Sequence, residues 1–148
     1  MSTLFAFLHH LAAFTVVSTL AVEFVLIRPE LTLANARRLS VVDAVLGVSA
    51  GLLLIIGLLR VFYFEKGAAY YFSSHAFLTK LTVFIIVAGL SIVPTVEFLS
   101  WRKALKAGQT PVVEARKMKL VRSLIHSELA GVVIILLCAA IMARGGWR

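Results

Sequence analysis

The chain has 148 residues, 61% of them hydrophobic and 15% charged, with a formal net charge of +8. A soluble domain holds about 45–50% apolar residues, and a mean hydropathy of +0.99 excludes that class. The basic excess flanks apolar runs instead of lining a polar face interleaved with aromatics, which argues against a nucleic-acid partner. The single cysteine, Cys138, lies in an apolar run and excludes an intrachain disulfide framework.

Four apolar segments, residues 3–27, 40–64, 74–99 and 120–143, are long enough to cross a hydrocarbon core of about 30 Å. The first carries His9, His10 and Glu23, lacks a basic leader, and reads as a retained helix and not a signal peptide. Arg28 and Pro29 end it, and Arg37 and Arg38 complete a basic connection. The second segment carries Asp43 and Arg60, with Asp43, Gly47, Ala50, Leu54 and Gly57 spaced as a small-residue seam. A short connection with Lys66 leads to the third, which holds His75, Lys80, Ser91, Pro94, Thr95 and Glu97.

The following loop is rich in cations: Arg102, Lys103, Lys106, Arg116, Lys117 and Lys119 surround a Gly-Gln-Thr-Pro turn at residues 108–111. Residues 114–123 read as a basic lead-in along an anionic inner leaflet. The last segment carries Arg122, His126 and Glu128, with Ser123, Ser127 and Gly131 as a second small-residue seam. The positive-inside rule places both long loops in the cytoplasm and both termini outside, with Arg144 and Arg148 as a mild counter-signal. The sequence thus predicts an all-α fold: one integral domain, a four-transmembrane-helix bundle, N-out and C-out, multi-pass in a bacterial inner membrane.

A weak repeat runs through the chain. Val22-Glu23-Phe24 precedes Arg28 as Val96-Glu97-Phe98 precedes Arg102, and Ala50-Gly51 followed by aliphatics is echoed by Ala130-Gly131. This pattern is that of two duplicated helical hairpins, an arrangement in which membrane proteins place sites where the halves meet.

Depth sorts the polar residues into two layers. His9, His10, Arg60, His75 and Lys80 fall toward the outer boundary, with His10, Arg60 and Lys80 about 6–10 Å below it. Glu23, Asp43, Glu97, Arg102, Arg122, His126 and Glu128 fall toward the inner one. Ionisable groups in membrane helices usually pair or serve a function. The inner carboxylates therefore read either as ion pairs with Arg28, Arg102 or Arg122 or as a proton path. His126 reads as an interior hydrogen-bonded residue, and Arg60 and Lys80 have the reach to snorkel.

Helical spacing refines the faces. His9, Ala12, Val16, Thr19 and Glu23 share one face of the first helix, and His10 points about 100° away. On the third helix His75, Thr79, Thr82, Ile86, Gly89, Val93 and Glu97 form one stripe. Lys80, Phe84, Val87, Ser91, Pro94 and Phe98 form its neighbour.

Imidazoles from two helices at similar depth, with cations beside them, are what haem b requires: neutral nitrogens for the iron and positive charge for the propionates. His10 or His9 opposite His75 would ligate, Arg60 and Lys80 would meet the carboxylates, and Lys80 is the candidate for an axial or catalytic, substrate-facing group. Covalent c-type haem is excluded by the lack of Cys-x-x-Cys-His, and no metal is expected beyond the haem iron.

Across nearly its whole length the chain resembles a bacterial family of small four-helix inner-membrane proteins of unknown function. The marks are His9-His10 with Glu23, His75, Lys80-Leu81, and residues 90–95 through Trp101-Arg102. More distantly it resembles the HemJ-type, haem-containing membrane protoporphyrinogen oxidase, through His10 or His9 in the first helix and Lys80-Leu81 early in the third. That likeness implies a membrane haem or porphyrin protein. The tryptophan-rich stretch of that family's first helix is missing here, and its pattern lacks the inner acidic layer.

The resulting expectation is a haem b protein with a redox or electron-transfer role, acting on a membrane-soluble small molecule of porphyrin or quinone type. The alternatives are a small proton- or ion-coupled transporter and a structural subunit of a membrane complex. A homo-oligomer completing the site between protomers is a further expectation.

Overall fold

The computed structural model describes residues 2–64 and 66–145, and all of its regular structure is helical. Arg148, which enters the sequence reading above, lies outside the described residues. The elements are α1 (Ser2–Leu26), α2 (Leu33–Leu59) continued by a π-helical turn (Arg60–Phe64), α3 (Ala68–Phe72), α4 (His75–Ser100), α5 (Arg102–Lys106) and α6 (Ala115–Ala143). Four of these helices are long and apolar enough to span a membrane. Two begin earlier than the hydropathy pattern indicates. α2 starts at Leu33 because the Thr32 side chain accepts the backbone N–H of Asn35 at 3.2 Å, a cap that carries the helix through Asn35, Arg37 and Arg38. α6 starts at Ala115, so the basic lead-in is its first two turns.

Other ends follow equally local rules. Ser74 caps α4 by accepting from Phe77 N at 3.4 Å. α5 closes in a Schellman turn, with Gln109 N donating to Ala104 O at 2.9 Å and Gly108 N to Leu105 O at 3.1 Å. That turn puts Gly108 at φ +70°, where a Cβ would be strained.

α1 packs along α2 and α4 along α6, so the bundle is built from two helical hairpins; α1 also meets α6 and α2 meets α4, leaving α1/α4 and α2/α6 as diagonals. One end carries the chain termini and the π-helical turn. The other carries the two long basic connections, tied down by Arg122, whose Nε donates to Ile27 O at 2.9 Å, and Arg37, which reaches Leu105 O at 3.5 Å.

The core is concentrated at the basic end. Leu20, Ile27, Leu39, Phe98, Trp101, Val121 and Ile125 are buried there. Large apolar side chains such as Phe14 (72% exposed) and Val133 (65% exposed) point outward. In a membrane these are lipid-facing, because hydrocarbon imposes no cost on them.

Gly131 allows the closest helix contact. A Cβ there would meet Val87 Cγ2 at 2.3 Å. The expected seams are redrawn around it: Ser123 and Ser127 are exposed, and α6 buries Val121, Ile125, Glu128 and Val132 instead. On α2, Asp43 is buried and Ala50 and Gly57 are half-buried, whereas Gly47 and Leu54 are exposed and Leu46 and Leu53 take their places in the core.

Candidate functional site

Two polar sites lie on the bundle interior, one in each half. At the terminal end a cavity of about 290 Å³ opens between the hairpins, walled by α1, α2, α4 and α6. Its polar lining is His9 and His10 from α1, Arg60 from the π-helical turn, Tyr71 from α3 and Lys80 from α4; the rest is apolar, including Leu53, Leu81, Phe84 and Ile135. π-helical turns inside α-helices often mark functional positions, since the extra residue re-aims side chains. Here the turn begins at Arg60.

His9 is the better placed imidazole. Its Nδ1 is buried and has no hydrogen-bond partner among the described residues. Gly57 on α2 makes room for the ring, since a Cβ there would sit 3.2 Å from His9 Cε1. Arg60 and Lys80 both act electrostatically on it, so the cavity gathers positive charge beside an imidazole. His10 sits edge-on to His9, is exposed, and has Nδ1 within 2.6 Å of Ala6 O.

His75 does not join this set. It occupies the first position of α4, is exposed, and is not part of the cavity wall. The reason is the stripe assignment: the Lys80 stripe faces inward, while His75, Thr82, Ile86, Gly89 and Val93 face out. Lys80 is half-buried, with Nζ 5.6 Å from the Phe77 ring centroid.

The second site lies toward the basic end. Glu23, Asp43 and Glu128 are 1%, 5% and 1% exposed and come from three different helices. Glu23 is within electrostatic reach of both others. The fourth helix, α4, supplies hydroxyls: Ser91 Oγ donates to Glu128 Oε2 at 2.5 Å, and Thr95 Oγ1 to Asp43 Oδ1 at 2.8 Å. Buried Pro94 lies between them in sequence; having no N–H, it leaves Leu90 O without its usual helical donor. Oε1 of Glu23 and Oε1 of Glu128 are buried without hydrogen-bond partners among the described residues.

The expected ion pairs with Arg28, Arg102 and Arg122 do not form among the described residues. Arg28 lies over the Phe24 ring at 4.0 Å, Arg122 is used by backbone carbonyls, and Arg102 is exposed. His126 packs its ring on Phe24 at 5.5 Å and is exposed, not interior. Glu97 leaves the cluster altogether. Its carboxylate pairs with Lys117 at 2.8 Å and accepts from Trp101 Nε1 at 3.0 Å, at a polar pocket walled in part by Pro111 and Val113. The repeated Val-Glu-Phe motif therefore places two buried glutamates in different chemical surroundings.

The sequence pattern placed Gly57 in a helix-packing seam and not beside His9, and it left the partners of Ser91, Thr95 and Lys117 open. Ser91 and Thr95 had a signal, hydroxyls on or beside the inward stripe of α4; the pairing of Lys117 with Glu97 has no local signature.

Among the described residues, no group of three or more His, Cys, Asp or Glu side chains is arranged to hold a metal ion. No curated protein and no solved structure matches the chain. A family model does, over residues 1–146, and the chain belongs to that family, described as predicted membrane protein (DUF2214), whose function is unknown.

Proposed function

We propose that the terminal-end cavity binds haem b and that the protein has a redox role in the membrane. The observation that carries this reading is His9: a half-buried imidazole whose Nδ1 is buried and has no hydrogen-bond partner among the described residues, in a largely apolar cavity that also presents Lys80 and Arg60. The donor set fits the group. His9, with Lys80 or the rim residue His10 as a second candidate, would hold the iron, and Arg60 would supply positive charge for a propionate. His75, an expected ligand, has no part in this version because of its outward position.

Bound haem would supply reversible one-electron chemistry; the chain supplies the apolar walls, the cations and the imidazole. The cavity lies at the lower end of the roughly 300–1,000 Å³ usual for ligand sites and opens between lipid-facing helices. That opening suits a substrate of porphyrin or quinone type arriving from the bilayer. The distant likeness to HemJ-type oxidases points the same way, through His9 or His10 and Lys80.

The test is a pyridine haemochrome assay on protein purified after expression with haem precursor. A haem b signal approaching one per chain supports the reading, and absence of a Soret band after haem supplementation refutes it.

A further inference from the structure

The inner cluster is not used by this reading and has its own chemistry. Glu23, Asp43 and Glu128 come together at one level of the bundle, and two of the three carry a buried oxygen with no hydrogen-bond partner among the described residues. We propose that these carboxyls form a proton-binding site in the interior of the bundle.

Charge points to a cationic ligand. Carboxyl groups from α1, α2 and α6 lie within electrostatic reach at this level, and α4 contributes hydroxyls there, not a cation. The nearest basic groups are engaged elsewhere: Arg122 with the carbonyls of Ile27 and Arg28, Arg28 with the Phe24 ring, and Lys117 with Glu97. His126 packs its ring against Phe24 and is exposed. Unpaired buried carboxylates are costly in hydrocarbon, so the cluster needs positive charge from outside the chain.

Geometry selects the proton over a metal ion. The carboxyls do not converge as a ligand set for one ion. Ser91 and Thr95 suit either protonation state, because a hydroxyl donates to a carboxylate and accepts from a carboxylic acid. Binding then converts one carboxylate to a carboxylic acid, with the proton taken from water.

Apolar residues enclose the cluster on both sides, with Ile27, Leu39, Phe98, Trp101, Val121 and Ile125 buried toward the basic end. One turn toward the terminal end stand Leu20, Leu46 and Val132, buried, and Val87, half-buried, one from each spanning helix. This apolar layer separates the cluster from the basic cavity. On the opposite side Glu23 is one turn from Ile27, whose carbonyl is held by the exposed Arg122.

The experiment is carbodiimide labelling of the whole chain in membranes, mapped by peptide mass. Carbodiimides modify the protonated carboxyl, so Glu23 or Glu128 should be labelled, Glu97 should not, and labelling should fall about tenfold per pH unit above the midpoint of a single-proton titration. Labelling spread equally over Glu97, labelling that ignores pH, or none at Glu23 and Glu128 overturns the proposal. Protection by sodium at constant pH overturns it in favour of an alkali cation. The map uses the unmodified chain, so folding of variants does not enter, and it is blind to haem; Glu23→Gln and Glu128→Gln then confirm the assignment by removing the labelled position.

Discussion

Gly131→Ala is the perturbation that couples the fold to the inner site. The added Cβ would sit 2.3 Å from Val87 Cγ2 and 3.7 Å from Val83 Cγ1. Val87 is β-branched and stiff about χ1, so the contact is relieved by moving α4 away from α6 and not by rotating a flexible end. Overpacking of this kind costs about 1–3 kcal/mol. The same change lowers the entropy of the unfolded chain, stabilising by about 0.4–1 kcal/mol, so the expected net loss is about 1–2 kcal/mol. Gly47 and Gly51 supply the control, because a Cβ at either meets nothing within 4 Å. Gly47→Ala and Gly51→Ala should be neutral or stabilising. Ser91 and Glu128 lie one turn from Val87 and Gly131, and their 2.5 Å bond should lengthen with the helices. Reversible unfolding by SDS titration in mixed micelles measures the stability. Val87→Ala added to Gly131→Ala should recover most of the loss, a coupling that double-mutant cycles isolate. A Gly131→Ala protein as stable as Gly51→Ala would refute the close approach of α4 and α6.

Three further outcomes follow from the same geometry. Ser91→Ala and Thr95→Ala each remove one hydroxyl donor from a buried carboxyl, and each should cost about 1 kcal/mol in the same titration. Lys117→Met should lower the melting temperature at low salt and lose its effect at high salt, because Lys117 is 56% exposed and its pair with Glu97 is screened. Adding haem to purified protein should raise the thermal midpoint of the wild type and of His75→Ala, and leave His9→Ala unchanged, since only a ligand with a site in the folded state stabilises it.

Much of this architecture was legible in the residues. Four long apolar runs separated by cationic connections have one economical solution in a bilayer, and the four spanning helices follow. The inward stripe of α4, from Lys80 through Ser91 and Pro94 to Phe98, and the inward face of α1, from His9 to Glu23, both emerged from helical spacing. What spacing cannot decide is which of two adjacent stripes a neighbour covers. The choices of His9 over His10, and of Lys80 over His75, come from packing. His9 is selected by room at Gly57 on another helix, a contact with no local signature. Glu97 shows the same limit: it shares its stripe with outward residues, yet it is buried because Trp101, Lys117 and the long connection fold over it. Of the two seams read from small residues, the structure uses Gly131 on α6 and Gly57 on α2 for close approach and leaves Gly47 exposed. Small residues permit close approach, and the partner's shape decides where it happens.

The central claim is that His9, with the cations around it, makes the terminal-end cavity a haem site. Reduced-minus-oxidised absorption spectra of the purified wild type, His9→Ala and His75→Ala proteins test it most directly. The account predicts a haem b difference spectrum in the wild type and in His75→Ala, and its loss in His9→Ala while the helices remain folded by circular dichroism. A spectrum that survives in His9→Ala, or disappears in His75→Ala, would contradict it.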